Sequence, residues 1–193
     1  MDREACIARA QVLGAEYEVT YQNDAQATFQ AIIDALKEAG VTLTDPVSEE
    51  IIFRSLAGLA GGHALTGNGN SGALAGATAV ISLLSNVGRA DLLDDKNRRW
   101  IAYDNSVQSV FQDFVKEYRG VTDKHVMWAR YGKWWNYWDV EAWQDFLAER
   151  EERGYLGAGV STVSLAAGWG AGHALDILAH PRTFEQVKKD HNL

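Results

Sequence analysis

Apolar residues recur along most of this chain at the three- and four-residue spacing of amphipathic helices, and no strand-like alternation lasts more than a few positions. Residues 24–39 put Phe29, Ile32, Ile33 and Leu36 on one stripe that stops at Gly40, an ordinary helix end. Pro46 stands where a first helical turn tolerates proline, ahead of a second helix carrying Val47, Ile51 and Leu59. Residues 61–70 hold four glycines and two asparagines and read as loop, after which a helix runs from Ser71 through Val80, Leu83 and Leu84 to Gly88. The charged stretch 91–99 reads as a solvated connection or helix start. Val107, Val110, Phe111, Phe114, Val115 and Tyr118 then form an amphipathic stripe ending at Gly120.

Thr122 is placed to cap the next helix and Asp139 the one after, where Glu141 suits the positive helix start. The acidic face of that helix, with Asp145, Glu149, Glu151 and Glu152, reads as solvated surface. A small-residue helix after Gly157 and a short helix after Pro181 complete an all-α fold, an irregular bundle of about seven helices with a Gly-rich helix–loop–helix corner. With 193 residues the chain forms a single helical domain.

Composition narrows the function more than the fold. A net charge of −8, with no run of Lys or Arg, argues against a nucleic-acid partner, because a phosphate backbone needs a basic face. The one cysteine, Cys6, allows neither an internal disulfide nor a thiolate metal cluster, and no apolar segment follows Met1, so a cytoplasmic location is expected. Residues 155–175 carry no Asp, Glu, Lys or Arg, but they are mostly Gly, Ala and Ser, which gain little from lipid. A tightly packed buried helix is expected there, not a membrane span. The pattern Ala57-Gly58-x-x-x-Gly62-His63-Ala64-Leu65 returns as Ala167-Gly168-x-x-x-Gly172-His173-Ala174-Leu175. Either this is a chance likeness of Gly/Ala-rich helices, or it sets His63 and His173 in similar surroundings.

The segment from Gly61 to Ala77 is the richest in chemistry. Glycines permit positive φ and close approach, and Asn70 or Ser71 then stands at a helix start, where free N–H groups and the dipole favour an anion. No Gly-Lys-Ser/Thr follows, so it is not a P-loop, and no strand precedes it as a dinucleotide fingerprint requires. Taken alone, Ser71 is a helix cap.

In this segment and two others the chain resembles the C_GCAxxG_C_C family, helical proteins assigned redox activity. The family pattern opens a helix with Asn-Cys-Ala, passes a Gly-Gly loop into Cys-Gly-Ala-Leu-x-Gly-Ala, and follows a Phe-rich helix ending in Gly with another cysteine. Asn23-Asp24-Ala25 resembles the first element. Ser71-Gly72-Ala73-Leu74-Ala75-Gly76-Ala77, after Gly61-Gly62, resembles the second, and Phe114 to Asp123 the third. The likeness spans residues 24–126, leaving the Trp-rich and Gly/Ala-rich part 127–193 outside it.

At the three cysteine positions of the pattern this chain has Asp24, Ser71 and Asp123. Neither a carboxylate nor a hydroxyl replaces a thiolate in disulfide exchange, so that chemistry is lost at these positions. The resemblance implies that the three meet in one pocket, where paired carboxylates can split their pKa values into an acid and a base. Each Asp is equally suited to be a helix cap. The catalytic candidates are Asp24, Asp123 and Ser71. The expected substrate contacts are His63, Gly62, Asn70, Gly72, Tyr131 and Trp134. His63 with Asp24 and Asp123 would also suit a divalent cation, although no pair has a diagnostic ligand spacing.

Six of the seven tryptophans lie between Trp100 and Trp143, as packing, an oligomer interface or the wall of an apolar pocket with Tyr131 or Tyr137 as donor. The resulting expectation is a cofactor-independent acid–base enzyme, a hydratase, dehydratase or isomerase for a mainly apolar small molecule, in a homo-oligomer. The alternatives are a non-catalytic binding or subunit protein, or a carboxylate/His metal protein.

Overall fold

The computed structural model describes residues 2–193, and the fold among them is all-helical. Its helices are α1 (Arg3–Tyr21), α2 (Asp24–Glu38), α3 (Pro46–Ser55), α4 (Gly72–Ser85), α5 (Arg89–Asp94), α6 (Arg99–Val107), α7 (Val110–Tyr118), α8 (Asp123–Tyr131), α9 (Val140–Glu152), α10 (Thr162–Ala179) and α11 (Phe184–His191). Short 3-10 turns follow α3 and α5. About seven helices is thus an undercount. The stripe from Val107 to Tyr118 breaks at Gln108 and Ser109 into α6 and α7, the charged stretch forms the short α5, and α1 has no counterpart in the hydrophobic pattern.

Helix α1 escapes the pattern because it buries small residues. Its inner face is Cys6, Ala10, Leu13 and Gly14, which leave no conspicuous apolar stripe. The partner is α10, whose buried face is equally small and includes Ala167, Gly168, Ala171 and Gly172. A Cβ at Gly14 would come within 2.9 Å of the Ser164 Cα, so the two backbones meet at a spacing that only glycine allows. The Arg3 guanidinium forks onto Asp176 with two hydrogen bonds of 2.9 Å and ties the same helices at their far end.

The larger side chains come from α2 and α4. Phe29, Ile32 and Leu36 of α2 and Val80 and Ile81 of α4 are wholly buried, and α10 closes over both helices. From Thr162 on, the uncharged stretch at 155–175 therefore forms a closely packed helix with one buried face, while residues 157–160 before it are exposed. Among the described residues no helix is long and apolar enough to cross a membrane.

Three local expectations change. Helix α3 has no fully buried residue: Val47 is 69% and Ile51 62% exposed, Ile52 and Phe53 are partly buried against the core, and Leu59 falls in the 3-10 turn beyond it. Polar contacts add to that packing, with Gln26 Nε2 donating to the Phe53 carbonyl and Lys37 pairing with Glu49. Val107 and Val115 face solvent, while Val110, Phe114 and Tyr118 carry the packing. The repeated Ala-Gly-x-x-x-Gly-His-Ala-Leu pattern has two unrelated conformations. Its first copy ends in a left-handed loop with His63 exposed, and its second lies within α10 with His173 hydrogen-bonded to Asp113 at 2.7 Å.

Gly76 shows how closely α4 lies on α2, since a Cβ there would strike the Ala25 carbonyl oxygen and reach 3.0 Å from the Phe29 nitrogen. Backbone atoms cannot swing aside. Gly76→Ala is expected to cost about 1–3 kcal/mol, as overpacking does in closed interiors. Gly58→Ala, where nothing lies within 4 Å, should stay within about 0.5 kcal/mol of the parent. Urea denaturation midpoints of the two variants check this, and equal midpoints would contradict the packing described.

Candidate functional site

Three helices begin at one place, and Asp24, Ser71 and Asp123 do not supply the side-chain N-caps of their own helices. Asn23 caps α2 by accepting from the Gln26 N–H at 3.1 Å. Thr122 caps α8 through the His125 N–H. Asp24 and Asp123, each the first residue of its helix, are thereby released from capping their own helices. Asp24 reaches sideways instead. Its Oδ1 accepts from Gly61 N and Ala25 N, both at 3.1 Å, and its Oδ2 accepts from Ala73 N at 3.2 Å. The α4 start is thus capped from α2, and Ser71, at the N-cap position of α4, makes no capping bond with its own side chain.

The glycine loop makes this crossing possible. Gly61, Gly62, His63, Ala64 and Leu65 all have positive φ, a run that three non-glycine residues enter at a cost of about 1–2 kcal/mol each. It lets Gly61 N turn toward Asp24 and brings Gly62 so near α8 that a Cβ there would lie 2.8 Å from the Asp123 Cβ. The loop then caps α8 with its own carbonyls: Asp123 N donates to Gly69 O and Lys124 N to Gly67 O, both at 3.2 Å. Ser71 N donates to Val121 O at 2.8 Å across the bridge between Asn70 and Thr122. The amides of Gly61, Ser71 and Ala73 are consequently spent inside the protein, contrary to the expectation that this helix start offers them to an anion.

A cavity of about 260 Å³ opens at the junction, and Asp24, Ser71 and Asp123 all line it. The opposite walls are aromatic and aliphatic, from Tyr131, Tyr137, Trp143, Phe146 and Tyr155 to Leu65 and Met127. Of the six expected substrate contacts, Tyr131 lines this cavity. Gly72 stands behind Asp24, since a Cβ there would lie within 2.5 Å of the Asp24 Cγ, and Gly62 stands behind Asp123 in the same way. Trp134 packs against Gly67 outside the cavity, with Lys124 over its ring. His63 and Asn70 are exposed in a different, shallow depression with Thr66 and Asn68. The set His63, Asp24 and Asp123 is therefore not assembled, and among the described residues no group of three or more His, Cys, Asp or Glu is placed to hold a metal ion.

The two carboxyls sit in contrasting surroundings. Asp24 is pushed up by burial, with its three backbone N–H donors pulling the other way. Asp123 has no such donors. Burial first, and then the Asp24 charge, raise it from the ordinary value of 3.8 to about 7, with Tyr137 and Trp134 opposing weakly. Its Oδ2 is buried with no hydrogen-bond partner of normal geometry, and so is the Trp134 indole nitrogen. The Tyr137 hydroxyl is driven far up by burial and by both carboxylates, so it remains a proton donor.

Glu18 and Arg150, which sequence reasoning passed over, add a partly buried ion pair of 3.0 Å to the cavity wall. Glu18 sits on the helix whose small-residue face gave no apolar signal. Arg150 lies among the charges of α9, where a local pattern reads only surface. Asp145 and Glu149 from that same acidic face do pair with Lys133 at the surface.

No family model, curated protein or solved structure matches this chain. The resemblance to the C_GCAxxG_C_C pattern accordingly stands on the glycine scaffold and the three polar positions alone.

Because folded Asp123 holds its proton up to about pH 7 and the unfolded chain releases it near 3.8, the folded state binds more protons between these values. Stability should therefore be full below the lower value and fall as pH rises through the upper one. Asp123→Asn should flatten that slope, and Asp24→Asn should lower the Asp123 midpoint by removing its charged neighbour. Urea midpoints across this range, with carboxyl carbon NMR titration of Asp123, check both. A titration midpoint for Asp123 near 4 would contradict the burial described.

Proposed function

We propose that this protein is a cofactor-independent acid–base enzyme acting on a small, mainly apolar molecule, through hydration, dehydration or isomerisation. The observation that carries the reading is Asp123, a buried carboxyl on the wall of an apolar cavity with a pKa near the ordinary working pH. Asp24 differs in role. Its oxygens accept from three backbone N–H groups, which favour its charged form against the burial that raises it, and charge on Asp24 in turn raises Asp123. Asp123 then gives a proton to the substrate and takes one back, as one carboxyl does in reactions that move a proton between neighbouring carbons or between carbon and water.

With the loop amides already bonded, a substrate oxygen would be held by the hydroxyls of Ser71 and Tyr137, both on the cavity wall. The aromatic lining lowers the polarity around these contacts, which strengthens each of them. Usual ligand cavities measure about 300–1,000 Å³. At about 260 Å³ this one limits the substrate to a small molecule. The likeness to the redox family fits an inherited pocket whose thiol chemistry has been replaced.

Proton-transfer turnover is detectable before the natural substrate is known, as deuterium uptake from heavy water into small unsaturated, hydroxylated and carbonyl compounds. Asp123→Asn is expected to lower such turnover by about 10²–10⁴-fold. Asp24→Asn should lower it less and move its pH optimum downward, as the Asp123 pKa falls. Full turnover in Asp123→Asn would sink the acid–base reading.

A second reading draws on the exposed tryptophans. Trp128 and Trp138 are 60% and 71% exposed, and Val140, two residues after Trp138, is exposed as well, as in a subunit whose Trp-rich half meets a partner or a second copy. Light scattering of Trp138→Ser against the parent tests it, with loss of an oligomer as the expected result.

A further inference from the structure

The cavity wall is unevenly charged. Three carboxyls line it, those of Glu18, Asp24 and Asp123, against the single cation Arg150, which is already paired with Glu18. Asp24 is satisfied by backbone N–H groups. Asp123 is not: it is 4% exposed, Tyr137 and Trp134 are its neighbouring donors, and its Oδ2 has no partner of normal geometry. The Oε2 of the partly buried Glu18 also lacks a partner, although its Oε1 is paired with Arg150. A buried acceptor without a donor is destabilising, more so when it is charged. A ligand that brings hydrogen-bond donors and positive charge relieves that cost. A ligand carboxylate or phosphate would add to it, with only the unpaired Nε of Arg150 to offset three carboxyls.

The aromatic walls favour the same sign of charge. Tyr155, Tyr131 and Phe146 already carry the guanidinium groups of Arg130, Arg153 and Arg150 at 4.3, 5.6 and 5.5 Å from their ring centres. Among the described residues no side-chain cation lies over Tyr137 or Trp143. These two rings meet edge to face, 5.7 Å between centres and 88° between planes, and form a square corner in the cavity wall. Aromatic corners beside a carboxylate attract organic cations through the negative ring faces, more strongly where the site is desolvated.

We propose that the cavity takes a small organic ammonium ion, an apolar body whose cationic head lies between Asp123 and the corner of Tyr137 and Trp143. This names the substrate class of the site proposed above and rests on that site being the ligand site. It concerns binding, whereas proton transfer concerns turnover, and the two fail separately. An ammonium preference in a protein whose Asp123→Asn variant keeps full turnover removes the acid–base reading alone.

Calorimetric titration at about pH 8, where alkylamines are still charged, with benzylammonium, its neutral isostere benzyl alcohol, and benzoate tests the proposal. Benzylammonium is expected to bind about tenfold or more tightly than benzyl alcohol, with benzoate the weakest. Asp123→Asn should abolish that preference, so that benzylammonium binds no more tightly than benzyl alcohol. Trp143→Leu should weaken benzylammonium several-fold at a partly exposed position, which keeps the test decisive if Asp123→Asn folds poorly. Benzyl alcohol or benzoate binding as tightly as benzylammonium, a preference unchanged in both variants, or no binding of any of the three would overturn it.

Discussion

The junction of α2, α4 and α8 depends on one carboxylate accepting hydrogen bonds across the fold. Asp24 takes the N–H of Gly61 from the glycine loop and that of Ala73 from the first turn of α4, while Asn23 caps the helix to which Asp24 belongs. Without Asp24 two backbone donors at this enclosed corner lose their acceptor, a cost of about 1–3 kcal/mol for each buried one. The rest follows from that anchorage. The loop turns left-handed to present Gly61, Gly62 then touches α8, and the loop carbonyls cap the helix that carries Asp123. The carboxyl that organises the backbone is also, after burial, the cause that raises the second one.

Much of the helical layout is legible in the sequence, and the gaps have physical causes. Periodic large side chains mark α2 and α4, and Thr122 and Asp139 declare the starts of α8 and α9 by their capping chemistry. Helix α1 is silent because Cys6, Ala10 and Gly14 contribute closeness, not bulk, and a hydrophobic pattern weighs bulk. Helix α3 misleads in the opposite sense, with an apolar stripe that the tertiary structure leaves in water.

For the site, the sequence was informative about position and poor about partnership. Asp24, Ser71 and Asp123 do meet at one cavity, yet the amides expected to greet a ligand are bonded to Asp24 and to Val121. Which side of a helix start a side chain caps is not a local property. His63 is the clearest misplacement: a left-handed loop turns it away from the carboxylates that lie nearby in the pattern. Glu18 and Arg150 become visible only when α1 and α9 are seen to share a wall.

The Asp24 anchorage has a consequence for how the molecule comes together. Its two distant donors lie 37 and 49 residues away along the chain, and the short local helices cannot form these bonds by themselves. Closing loops of that length is entropically costly until packing of α2 on α4 has already restrained the ends. The cavity therefore belongs to the tertiary structure and not to any one helix: its walls and its raised carboxyl exist only where residues far apart in the chain are held together.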